Sequence, residues 1–252
     1  MNQALKMFIS VKKKYKFFFI PAAILFFCAA FLLAKSKYQE NDFGRSFGNK
    51  ATLAKQKLDA LKPLFETCSA ICKADSRFMQ AVIFPEVMRY NSLKDGIEAE
   101  SLRTLYVQFG QEYANFSIGI FQMKPSFAEQ VEEKVKRILP VAVTGELQLQ
   151  YNNNEEEAIR MERVERLQNE QWQLVYLTAF LCICNETYKE RTFVNELEKL
   201  QWYATVYNAG FDKTSEFIVK KIKQENFYLQ QNMPGKKFKY AAIAGWFYKS
   251  AS

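Results

Sequence analysis

The stretch QWQLVYLTAFLCIC, residues 171–184, carries Trp172, Leu174, Val175, Tyr176, Leu177, Phe180, Leu181 and Ile183. At helical spacing these side chains cover every face instead of one stripe, the pattern of a helix enclosed by other elements. The stretch has 14 residues and a charged approach, and a bilayer span takes about 20. It therefore reads as the central helix of a globular domain.

Upstream, Asn152 to Gln173 is dense in charge. Glu156 with Arg160, and Glu162 with Arg166, stand four apart as helix-surface ion pairs do. The spacing predicts a solvated helical face, and residues 150–171 read as a charged helical insertion or lid. Downstream, Phe193 to Asn208 presents Leu197, Leu200, Trp202, Tyr203 and Val206 at helical intervals, and Gly210 is suited to end it. Thr52 to Ala74 is apolar at Leu53, Leu58, Leu61, Leu64, Phe65, Cys68 and Ile71, with Pro63 expected to kink or divide it.

Ser76 is expected to cap a helix running through Phe78, Val82 and Ile83 towards Glu86, with Pro85 disturbing its last turn. Glu98 to Phe109 reads as another amphipathic helix, and Ser126 as the cap of one that ends before Pro140. Strand signals are confined to short stretches such as Pro140 to Thr144. The expected fold class is mainly α, with residues 51–252 as one domain.

The start of the chain is of another kind. Lys6, Lys12, Lys13, Lys14 and Lys16 precede an apolar run of 18 residues, Phe17 to Ala34, closed by Lys35. Signal-peptide apolar regions usually have about 7–15 residues, so the length favours an uncleaved transmembrane anchor, with a cleaved signal peptide as the alternative. Residues 1–16 then stay cytoplasmic, residues 35–50 are a spacer, and the domain is exported. Without those five lysines, 30 basic groups face 27 acidic ones, a balance of +3. That is compatible with an anionic wall polymer and far from a nucleic-acid-binding patch.

The chain has no histidine, which excludes Ser-His-Asp triads, Cys-His pairs and His-based zinc sites. It also lacks the glycine-rich loops that cradle nucleotide phosphates. Catalysis then rests on carboxylates, with no cofactor and no metal expected. Cys68 and Cys72 lie one turn apart, whereas Cys182 and Cys184 point to different faces of their helix, against a four-thiolate zinc site. Either one disulfide joins Cys68 or Cys72 to Cys182 or Cys184, or all four are small buried hydrophobes.

Three segments carry the chemistry: Phe84-Pro85-Glu86; Gly119-Ile120-Phe121-Gln122 continuing through Met123, Pro125 and Ala128; and Tyr207-Asn208-Ala209-Gly210. Glu86 stands among Val82, Ile83, Phe84, Val87 and Met88, surroundings that suit a carboxyl acting as a proton donor. In order and content the segments resemble the active-site skeleton of the lytic transglycosylases and goose-type lysozymes. The resemblance implies a lysozyme-like domain that cleaves peptidoglycan glycan strands, with Glu86 as the catalytic acid and base. Gly119 would admit the sugar, Gln122 would hold its acetamido group, and Phe121 and Met123 would form an apolar floor. Tyr207 and Asn208 would fix the sugar or the carboxyl. Tyr240, after Pro234, resembles the tyrosine of a late family element.

The pattern departs from the family at Val87, where serine usually follows the catalytic Glu, and in the longer interval filled by Tyr90 to Asn115. These departures, with the charged insertion, motivate an alternative: an inactive lysozyme-like scaffold that binds the wall and a protein partner in an envelope complex. Of the five aspartates only Asp95 lies between the first two segments. Intramolecular closure to a 1,6-anhydromuramic end is therefore expected over hydrolysis.

Overall fold

The computed structural model describes residue 43 and residues 46–229 and 235–250. The basic segment 1–16, the run 17–34, most of the spacer and Pro234 lie outside the described residues. The chain divides after Gly48, and the larger unit starts at Asn49. Among the described residues no helix is long and apolar enough to cross a membrane.

The unit is mainly helical. Its helices are α1 (Asn49–Ala60), α2 (Lys62–Cys72), α3 (Ser76–Arg89), α4 (Ser92–Phe109), α5 (Pro125–Ile138), α6 (Val141–Leu147), α7 (Glu156–Gln168), α8 (Glu170–Thr187), α9 (Glu196–Ala209), α10 (Ser215–Ile222) and α11 (Tyr240–Lys249). Before α11, β1 (Phe227–Tyr228) and β2 (Lys237–Phe238) pair antiparallel.

Two helices form the interior. On α8 every residue from Leu174 to Cys184 except Val175 is buried, as its all-round apolar sequence requires, and α2, α5 and α7 pack around it. On α3 burial is continuous from Phe78 to Met88, with α1, α2, α9 and α11 as neighbours. Pro63 divides the long N-terminal helix in two and sits in the first turn of α2, where its missing N–H is no loss. Pro85, by contrast, does not end α3, which runs on to Arg89 with Tyr90 as its C-cap. The neighbours around α3 outweigh the roughly 3 kcal/mol that an interior proline costs.

Caps and strands correct three expectations. Asp75, not Ser76, caps α3: its carboxylate accepts from the N–H groups of Arg77 (2.9 Å) and Phe78 (3.1 Å). Ser126 does not cap α5, because Pro125 already starts the helix; Ser126 N instead donates to Asn115 Oδ1 at 3.4 Å. The stretch after Pro140 is helix α6, with Pro140 at its N-cap, so the fixed φ of proline starts a helix that the β-branched residues did not suggest. The strand pair lies instead near the end of the chain.

Helix α7 is more than a solvated face. Both predicted ion pairs form, Glu156 with Arg160 at 3.3 Å and Glu162 with Arg166 at 2.7 Å. Yet Arg163, Val164, Arg166 and Leu167 are buried, and α7 packs on α4, α5 and α8. Helix α4 occupies the other long interval, so the two added segments pack against each other. Arg103 of α4 pairs with Glu165 of α7 at 3.1 Å, and Tyr106 of α4 accepts from Arg163 at 2.6 Å.

Candidate active site

Glu86 lies in the last turn of α3 and is only 3% exposed. One edge of it faces a cleft of about 320 Å³. That cleft is also lined by Arg89 from the same helix, by Ser117, Gln122, Met123 and Lys124 from the second segment, and by Tyr207, Asn208 and Gly210 from the end of α9. The fold thus gathers the three segments on one opening. Gly210 ends α9 with φ +96°, a conformation that favours glycine, and so turns the chain away just after Asn208.

Of the expected site residues, Glu86, Gln122, Met123, Tyr207 and Asn208 line the cleft. Asn208 Nδ2 approaches Glu86 Oε1 at 3.5 Å, the outer limit of a hydrogen bond. Gln122 has φ +52° and turns its amide back to donate to the Gly119 carbonyl at 3.1 Å. This bond braces a tight loop closed by paired Ile118 and Met123.

Gly119, Phe121 and Tyr240 do not line the cleft, and Gly119 and Phe121 take roles other than those expected. Gly119 has φ +68°, and a Cβ there would fall 1.4 Å from Gln173 Nε2 and 2.7 Å from the Leu167 carbonyl. The glycine is required by α8 pressing on the loop from behind, not by a sugar. Phe121 is fully buried with its ring 6.1 Å from that of Phe65, so it belongs to the core and not to a cleft floor. Tyr240 is buried, donates to the Val82 carbonyl at 3.0 Å and meets Phe227 edge-on, so it supports α3 one turn before Glu86.

Tyr207 also works through the backbone. Its hydroxyl donates to the Phe121 carbonyl at 2.8 Å, tying the end of α9 to the loop. Burial first, and then the charge of Glu86, pushes the phenols of Tyr207 and Tyr240 well above their usual value, so both remain neutral donors.

Three residues went unselected in the sequence. Arg89 places Nη2 2.5 Å from Glu86 Oε2 and its guanidinium 5.2 Å from the Phe227 ring. Its signal was a base three residues after an acid on one helix. Gln173, fully buried, donates to the Ile118 and Leu167 carbonyls and accepts from Phe121 N at 2.9 Å. Its signal was a lone amide inside the all-apolar helix. Lys124, between Met123 and Pro125 of the second segment, was given no role, and it adds a positive charge to the cleft.

The four described cysteines are free thiols. Cys72 and Cys182 are hydrogen-bonded partners, an interaction that lowers the Cys72 thiol and raises that of Cys182. Cys184 is fully buried, and burial pushes its thiol well up. The structure thus brings Cys72 to Cys182 and leaves the four-way choice of pairing narrower than the sequence did. Set against known proteins, the chain matches no protein-family model, and no curated protein and no solved structure resembles it significantly.

Proposed function

We propose that this chain is a lytic transglycosylase with a lysozyme-like domain, acting on peptidoglycan from the periplasmic side of a bacterial inner membrane to which residues 17–34 anchor it. The observation that carries this reading is the convergence of Glu86, Gln122 with Met123, and Asn208 on one cleft, from segments up to 122 residues apart. A buried carboxyl with an amide beside it, facing a cleft, is what a one-carboxylate glycosidase needs.

In that reading protonated Glu86 donates to the oxygen bridging N-acetylmuramic acid and N-acetylglucosamine, and the glycosidic C–O bond breaks. The acetamido oxygen of the muramic sugar closes on C1 as an oxazolinium. Glu86, now a carboxylate, takes the proton of the C6 hydroxyl, whose oxygen displaces the acetamido oxygen at C1. The product is a 1,6-anhydromuramic end, formed without water. Incubating the full chain with purified sacculi and analysing the released fragments by mass spectrometry tests the proposal. Anhydromuramoyl products that vanish in Glu86→Gln are expected, and their absence across pH and glycan length overturns it. In oxygen-18 water the new ends should carry no label.

The second reading, an inactive wall-binding scaffold of an envelope complex, is favoured by the Arg89 contact, because a guanidinium beside a carboxylate favours its ionised form over the protonated form a general acid requires. Binding of sacculi without release of product supports that reading.

A further inference from the structure

Arg89 and Glu86 are the two charges facing each other in the cleft, and the third is Lys124. With Glu86 and Arg89 cancelling, the opening carries one net positive charge. Tyr207 from α9 and Tyr240 from α11, the other titratable groups facing Glu86, stay neutral, so no second acid competes for Arg89 at that point. The Arg89 side chain is 19% exposed and shares the cleft wall with Glu86. Its Nε is buried and has no hydrogen-bond partner among the described residues. A guanidinium presents five N–H donors in a planar fork that fits a carboxylate with two parallel bonds; here Nη2 lies 2.5 Å from Glu86 Oε2 while Nε stays unused. Arg89 thus faces Glu86 while keeping an unused donor, at a position on the cleft wall.

We propose that Arg89 is a ligand-displaced latch, in which a carboxylate carried by the bound glycan takes the guanidinium from Glu86. The exchange is non-covalent. The Arg89–Glu86 contact opens, the ligand carboxylate pairs with Arg89 in two bonds, and Glu86, left buried without its counter-charge, takes up one proton from solvent. The cleft then selects for carboxylate-bearing glycans over neutral ones, and Glu86 becomes an acid only when such a glycan is bound. Arg89 is a positioning residue in this scheme. The inference rests on the reading of the cleft as a peptidoglycan site but not on turnover, since the exchange is a property of binding.

Calorimetric titration of the full chain tests it with three ligands: a tetrasaccharide of alternating N-acetylglucosamine and N-acetylmuramic acid with free lactyl carboxylates, the same tetrasaccharide bearing stem peptides, and neutral chitotetraose. Repeating each titration in buffers of different ionisation enthalpy reads proton uptake in the wild type, with no variant required to fold. About one proton should be taken up with one or other of the carboxylate glycans and none with chitotetraose. Whichever of the two carboxylate ligands gives the uptake identifies the lactyl or the peptide carboxylate as the group recognised. Glu86→Gln should abolish the uptake and tighten the carboxylate glycans about tenfold, because Arg89 no longer has a competing anion. Arg89→Met should remove the preference over chitotetraose, and Arg89→Lys should restore part of it.

Binding of carboxylate glycans with no proton uptake, or equal tightening of chitotetraose in Glu86→Gln, overturns the latch while leaving the peptidoglycan site intact. If none of the three ligands binds, the latch and the reading of the cleft both fall.

Discussion

Arg163 and Glu132 meet between α7 and α5, and Arg89 and Glu86 meet one turn apart on α3; both carboxylates are buried. Glu132 accepts from Arg163 Nε and Nη2 at 3.0 and 2.6 Å and from the hydroxyls of Tyr151 and Tyr176 at 2.5 and 2.6 Å. Arg163 spends its remaining reach on Tyr106 at 2.6 Å and Glu129 at 3.1 Å. Burial pulls the Arg163 guanidinium down, and the bonds and charge of Glu132 override it, so the net shift is upward. Glu86 lies 2.5 Å from Arg89 and 3.5 Å from the Asn208 amide, at the wall of an open cleft. A saturated network fixes four helices in place, because each donor and acceptor leaving it would lose a partner inside the protein. The pair at the cleft wall can exchange its partners for those of a ligand, and in a cleft that is a functional property.

Replacing one arginine in each pair separates these roles. Arg163→Met leaves the Glu132 charge buried without its counter-ion and should lower stability by about 3–5 kcal/mol, read from urea unfolding. Arg89→Met also strips a buried carboxylate of its counter-ion, but Glu86 lies at the cleft wall and can take up a proton there, so the loss should be smaller, about 1–3 kcal/mol. Equal losses would show that the two pairs do the same work, and the comparison would fail.

Gly119→Ala comes next in size. The positive φ costs an L-residue about 1–2 kcal/mol, and the methyl group displaces the Gln173 amide from three buried partners, adding about 1–3 kcal/mol. A total of roughly 2–5 kcal/mol, with loss of glycan binding as the loop shifts, is expected in thermal unfolding and sedimentation with sacculi. A well-tolerated alanine would instead mean that Gln173 can be moved without cost, and that the loop is not set from behind by α8.

Gly119 also shows what could be read from the sequence and what could not. The helices of the interior were legible, because an all-round apolar pattern such as Leu174 to Cys184 has one physical meaning in a chain segment too short for a membrane. The cleft was legible at Glu86, Gln122, Met123 and Asn208, whose residue types and order carry chemistry. Gly119 and Phe121 were read towards the sugar when they face the core, since sequence gives the need for a small or apolar residue but not the direction from which the need comes. Gln173 was hidden because its partners are backbone atoms of Ile118, Phe121 and Leu167, which have no side-chain signature. Arg166 was read as surface because its spacing from Glu162 fits an exposed pair, and Arg163 fell in the same solvated face; residues 149–151 and Trp172 cover the first, and Glu132 with Tyr106 the second, contacts that spacing does not reveal.

Tyr207→Phe is a smaller perturbation of the cleft side. It removes the hydroxyl that donates to the Phe121 carbonyl and keeps the ring packed against Phe127 and Phe180 at 5.2 and 5.3 Å. A loss of about 1–2 kcal/mol is expected in urea unfolding, from one hydrogen bond and an unpaired buried carbonyl. A cut in product release larger than this loss of stability accounts for would show that the hydroxyl meets the substrate after all.

Glu86→Gln should have the smallest effect on stability and sharpens the contrast most. The amide is nearly isosteric: its oxygen, in the place of Oε2, can accept from Arg89, and its NH2, in the place of Oε1, can donate to the Asn208 amide once that is turned over. It removes the cost of keeping a charge 3% exposed, which offsets the lost attraction to the guanidinium. The net change should stay within about 1 kcal/mol of zero in either direction, because these two terms oppose each other. Glu132→Gln, made in parallel, places an amide where four donors converge on an acceptor and should be clearly destabilising. If Glu86→Gln unfolds the protein as readily as Glu132→Gln, then Glu86 is a structural charge whose place at the cleft wall is incidental. A stable Glu86→Gln protein that binds sacculi and releases nothing leaves Glu86 as the group the reaction needs and the fold does not.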